Sequence, residues 1–81
     1  MPDSDLLERM RRSKTGWTAG DLERLYVGFG FRWREGHKHR FYVHPRHPDL
    51  YTTVTRSSHR VAPGYVQTAV RLIDNLQRRG G

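Results

Sequence analysis

One glycine separates two hydrophobic periods in this chain, and that switch restricts the fold more than any other feature. Leu22, Leu25, Tyr26 and Phe29 fall at i, i+3, i+4 and i+7, one side of a helix. Directly after Gly30, Phe31 and Trp33 alternate with Arg32 and Arg34, the two-residue period of a strand. Gly30 stands where a left-handed residue ends a helix, and Thr18 followed by Asp21 resembles a capping box at its start.

The rest of the chain can be divided by the same signals. Leu6, Leu7 and Met10 make a narrow apolar stripe that predicts a short helix from Ser4 to about Ser13, either an appendage or docked on the main fold. Glu35 and Gly36 predict a tight turn, and a second strand over residues 37–44 ends at Pro45, which has no ladder donor. PRHPD reads as a loop, and residues 51–56, rich in threonine and valine, as a third strand. Residues 57–62 connect it to a last helix that opens at Pro63 and carries Tyr65, Ala69, Leu72, Ile73 and Leu76 on its buried stripe. The expected fold is α+β in the order α-β-β-β-α: a three-stranded antiparallel sheet with two helices on one face, plus the short extra N-terminal helix. Residues 1–17 form a lead segment, 18–77 the domain and 78–81 a frayed tail.

Charge is unevenly placed. Residues 1–30 hold five acids and five bases, whereas residues 31–81 hold ten bases and three acids, so the whole net charge of +7 lies in the second part. Segregated positive charge favours polyanions, because neutralising phosphates releases counterions. A basic face that is merely solvated is the plainer interpretation. No apolar run approaches the ~18 residues of a membrane span, and the opening MPDSDLLERM is too polar for a secretory signal, so a cytoplasmic protein is expected. The absence of cysteine excludes a disulfide framework and a thiolate zinc site.

The stretch GHKHRFYVHP, residues 36–45, carries the chemistry. Strand alternation sets His37, His39, Phe41 and Val43 on one face and Lys38, Arg40, Tyr42 and His44 on the other. Phe41 and Val43 are expected to face the helices, which would turn His39 the same way unless a bulge near Gly36 re-aims it. The histidines can be polar surface. They can also be metal ligands with His47, yet Asp49 is the one carboxylate close by and a structural zinc site usually wants four ligands, so no metal is assigned. The third interpretation is RNA cleavage. Imidazole, with an ordinary pKa near 6.5, suits a base that removes a ribose 2′-OH proton, and Lys38 and Arg40 beside His39 supply cations for the phosphate. Arg34, Arg56 and Arg60 extend the basic track, while His59 is assigned to surface loop.

These residues resemble the HicA family of bacterial toxins. Gly36 matches the family's glycine, His39 its histidine, Tyr42 its aromatic and His44-Pro45 the ending of the segment. Gly30-Phe31 and the closing APGYVQTAVRLI are similar as well, so the resemblance spans roughly residues 10–76. MRRSKTGW resembles a lead segment of one subgroup, with Ser13-Lys14 where an Asn-Pro pair is usual. The resemblance implies a double-stranded-RNA-binding-domain-like fold and an endoribonuclease that cuts mRNA without a metal or other cofactor. It also implies a HicB-type antitoxin partner that silences it. His39 is implied as catalytic base, with Gly36 as the motif turn. His37 stands where many members have serine, which leaves open whether His37 or His39 is the base; the spacing to His44-Pro45 favours His39, and His37 is the second catalytic candidate. Two other functions fit the residues: a non-catalytic RNA-binding module, which needs cations but no histidine, and an interaction domain whose basic face meets an acidic protein.

Overall fold

The computed structural model describes residues 4–55 and 60–80 of the chain. Its elements are α1 (Ser4–Arg12), α2 (Ala19–Gly28), β1 (Arg32–Glu35), β2 (His39–His44), β3 (His47–Thr55) and α3 (Pro63–Arg78). The protein is a small α+β fold with one antiparallel sheet in the order β1-β2-β3.

Local signals set the ends of α2. The Asp21 backbone N–H donates to the Thr18 hydroxyl at 3.2 Å and the Thr18 N–H donates to the Asp21 carboxylate at 2.9 Å, a complete capping box. At the other end Gly30 takes φ +90°, the Gly30 N–H donates to the Val27 carbonyl and the Phe31 N–H to the Tyr26 carbonyl, both at 3.0 Å. This is a Schellman closure, and the accompanying apolar contact is the Tyr26–Phe31 ring pair, 5.1 Å between centroids. It points the chain from α2 directly into β1.

One core joins all three helices to one face of the sheet. Leu22, Leu25 and Tyr26 of α2, Val66, Ala69, Ile73 and Leu76 of α3, and Tyr42, Leu50 and Val54 of the sheet are buried together. Leu6, Leu7 and Met10 belong to the same core, so α1 is docked on the domain as an integral element. Arg11 pins it to α3 through a two-pronged bond to Asp74, with both N–H···O distances 2.9 Å. Burying each such apolar side chain contributes about 1.5–3 kcal/mol, which a domain of this size needs from every helix. Beyond α3, Arg79 donates to the Asp49 carboxylate at 2.7 and 2.9 Å.

Two strand expectations are corrected. PRHPD is not a loop. Pro45 and Arg46 alone turn the chain, and β3 starts at His47. Pro48 is tolerated because β3 is an edge strand, where a missing N–H leaves no neighbour unpaired. The facing of β2 is also opposite to expectation. Tyr42 and His44 are buried against the helices, whereas His39 is exposed and Phe41 and Val43 are half-buried on the other side. Register explains this: Tyr42 pairs with Thr52 and Arg40 with Val54, and paired residues share a face. Leu50 and Val54 can reach the core only if the even positions of β2 point inward with them. The sheet's register shift lies between Val43 and His44.

Candidate nucleic-acid interface on the open face of the sheet

Alternation and register build the face opposite the helices. Arg32 pairs with Val43, which pairs with Tyr51; Arg34 pairs with Phe41, which pairs with Thr53; and His39 pairs with Thr55. These rungs bring two arginines, one imidazole and two aromatic rings onto one surface. The Arg34 guanidinium carbon lies 5.2 Å from the Phe41 ring centre, and the Phe41 and Tyr51 rings are 5.9 Å apart at 34°. Tyr51 is 58 % exposed.

His39 stands at the hairpin end of this face. The Gly36 N–H donates to the His39 carbonyl at 2.8 Å, which leaves His37 and Lys38 as the two-residue tip. A Cβ on Gly36 would lie 2.5 Å from that same oxygen, so only glycine permits the close approach. Arg34, Glu35, His37, Lys38, His39 and Phe41 line one shallow concavity, with Gly36 and Thr53 at its edge. A second concavity beside it is lined by Arg32, Trp33, Arg34, Phe41 and Val43. Arg34 and Phe41 are therefore the wall shared by the two.

The remaining candidates separate from this group. Arg40, expected beside His39 as an RNA-binding cation, points to the helix side. Its guanidinium is bonded to Glu23 of α2 and to Glu35 of β1 (2.8 Å), and stacks 3.9 Å above the Trp33 ring. Tyr42, Glu35 and Glu23 hold it charged, above the usual arginine range, against the opposing effect of burial. Its charge is already balanced, and its role is to tie α2 and β1 to β2. Arg60 is exposed and its backbone bridges Thr18 at the start of α2, in the helix layer. Arg56 and His59 lie outside the described residues.

His44 is a core residue. It is 6 % exposed, sits edge-on to Phe31 at 5.3 Å, and accepts the Arg46 backbone N–H at Nδ1 (3.2 Å). Burial pushes its pKa below the ordinary histidine value, and the neighbouring His47 and Arg46 push it further the same way. His47, 5.2 Å from it, completes a pair remote from His37 and His39. Among the described residues no group of three or more histidine, aspartate or glutamate side chains converges as a metal site would require.

Sequence reasoning missed the aromatic part of the face, because it sent Phe41 inward and gave Tyr51 no role. Leu50 and Val54 were the available signal, four residues apart in β3 with Tyr51 between them on the opposite parity. Searches against protein-family models, curated proteins and solved structures found no match. Among the described residues no helix is long and apolar enough to cross a membrane.

Proposed function

We propose that the protein is an endoribonuclease of the HicA type, with a double-stranded-RNA-binding-domain-like fold, that cleaves mRNA and is silenced by a HicB-type antitoxin. The observation that carries this reading is the exposed His39 in a concavity shared with Arg34 and Lys38. His39 would accept the proton of a ribose 2′-OH. The O2′ then attacks the adjacent phosphorus, the bond from phosphorus to the 5′ oxygen breaks, and the products end in a 2′,3′-cyclic phosphate and a 5′-OH once that oxygen is protonated. His37, which lines the same concavity, would return this proton. Arg34 and Lys38 oppose the negative charge that builds on the phosphoryl oxygens. An antitoxin seated on the open face would exclude RNA from His39 and account for silencing by occlusion.

Induced expression of wild type and His39→Ala, with cellular RNA followed over time, tests the proposal. Wild type is expected to arrest growth and fragment mRNA, and the variant to do neither while melting like wild type. In vitro, a 2′-deoxy substitution at the cleavage position is expected to block the reaction. Equal cleavage by the His39→Ala protein would overturn the assignment. RNA binding without products in both proteins would favour the non-catalytic RNA-binding module.

A further inference from the structure

The open face presents more than a base and two cations. Phe41 and Tyr51 lie side by side on it, with Arg34 over one ring and Arg32 on the neighbouring rung. Exposing a tyrosine next to a second aromatic ring forgoes burial that a small core could use, and water gains nothing from the pair. Glu35 lines the His39 concavity with its carboxylate bonded to Arg40, and Asp49 is bonded to Arg79, so both carboxylates are matched by arginines; the odd-numbered positions of β2 and β3 from His39 to Thr55 that form the face carry no other carboxylate. The surface is thus flat, aromatic and positively charged. Duplex RNA offers stacked, paired bases and is gripped through phosphates and 2′-hydroxyls by shape, a mode in which rings on a flat sheet have no partner. An unpaired strand offers both a phosphate track and free π-faces.

We infer that Phe41 and Tyr51, flanked by Arg32 and Arg34, form a base-stacking subsite for single-stranded RNA, which makes the strand next to His39 unpaired when bound. The inference rests on the proposed ribonuclease reading and names the substrate form that its site accepts. The Arg34–Phe41 wall between the two concavities divides the strand: one nucleotide lies on the His39 side, the next on the Arg32 side. Stacking on each ring strengthens binding by about 5- to 150-fold.

Binding is measured by fluorescence anisotropy with labelled 2′-O-methyl oligonucleotides, which cannot be cleaved, as a single strand and as a duplex of the same sequence. Tyr51→Ser and Phe41→Leu are expected to weaken single-strand binding at least fivefold each, Tyr51→Phe to retain it, and the duplex to bind wild type at least tenfold more weakly. Tyr51 is mostly exposed, so Tyr51→Ser leaves folding intact, checked by its melting curve. The inference is overturned if the duplex binds as well as the single strand, or if both ring variants bind the single strand like wild type. It is also overturned if an acidic polyglutamate probe binds more tightly than RNA and depends on Arg32 and Arg34 alone. Cleavage assays on unmodified RNA separate the two levels. Ring-dependent binding without cleavage leaves the stacking subsite standing and removes the nuclease. Cleavage by wild type and by both ring variants with unchanged KM leaves the nuclease and removes the subsite.

Discussion

Replacing Gly36 by alanine places a methyl carbon 2.5 Å from the carbonyl oxygen of His39. Real contacts of this kind do not fall below 3.0 Å, so the oxygen or the turn must retreat by about 0.5 Å. The Gly36 N–H···O bond to the same oxygen, now 2.8 Å, would stretch to roughly 3.3 Å, beyond the usual range. Losing most of one backbone hydrogen bond costs about 0.5–1.5 kcal/mol, and overpacking adds about 1–3 kcal/mol where the surroundings cannot yield. An exposed hairpin tip yields readily, so the net effect expected is about 1–2 kcal/mol, a fall in Tm of roughly 5–15 °C for a domain of this size. Thermal melts by circular dichroism and amide exchange at position 36 read the stability effect. Gly64→Ala is the control: no atom of the described residues lies within 4 Å of its Cβ position, and alanine in the first turn of α3 is expected to raise Tm slightly. If His39 is the base, the displaced backbone lowers cleavage at least tenfold, since misplacement by an ångström can reduce rate about a hundredfold. A Gly36→Ala protein that melts with wild type and keeps the same exchange protection would refute the argument.

Three other outcomes follow from the geometry. Tyr26 is fully buried, and its hydroxyl has no hydrogen-bond partner among the described residues, so Tyr26→Phe is expected to be neutral or stabilising by up to about 1 kcal/mol in urea unfolding; a clear loss would show that the hydroxyl is satisfied in solution. Met10→Ala empties a site with no exposure in the shared core and is expected to destabilise by about 2–5 kcal/mol, whereas a loss under 1 kcal/mol would mean that α1 is not docked. His44 is held neutral by burial, so below its ordinary value near 6.5 the unfolded chain binds a proton that the folded protein resists. Its contribution is therefore complete above about pH 6.5 and declines as pH falls toward the lower folded-state pKa; urea midpoints between pH 8 and 5 should show the decline, and His44→Phe should flatten it.

The open face changes what an antitoxin or an RNA would have to do. Arg40 and Lys38 both adjoin His39 in sequence, yet Arg40 serves as a structural clamp, and Arg34 on the neighbouring strand joins Lys38 in the imidazole concavity. Arg40→Lys would lose the two-carboxylate fork and the stacking on Trp33, because a lysine point charge cannot reproduce either. A basic residue adjacent in sequence to a candidate base is therefore the wrong place to look for its partner when both lie on a strand, since neighbours point to opposite sides.

The sequence by itself determined the features that close within a few residues. Thr18 and Asp21 start α2, Gly30 ends it, Pro63 opens α3, and the periods of their apolar residues identify helix and strand, because each depends on hydrogen bonds or side chains three to six positions apart. Exposure of His39 was a different matter. Phe41-Tyr42-Val43-His44 is apolar on both parities, and two residues of difference cannot choose a face. Only the tertiary structure decided it: Tyr42 stacks on Tyr26 at 4.6 Å, Arg40 meets Glu23 seventeen residues away, and Leu50 and Val54 align with the even positions of β2. Those partners come from other elements, so their energy appears only when the sheet and helices meet, and it is this packing that turns the imidazole outward.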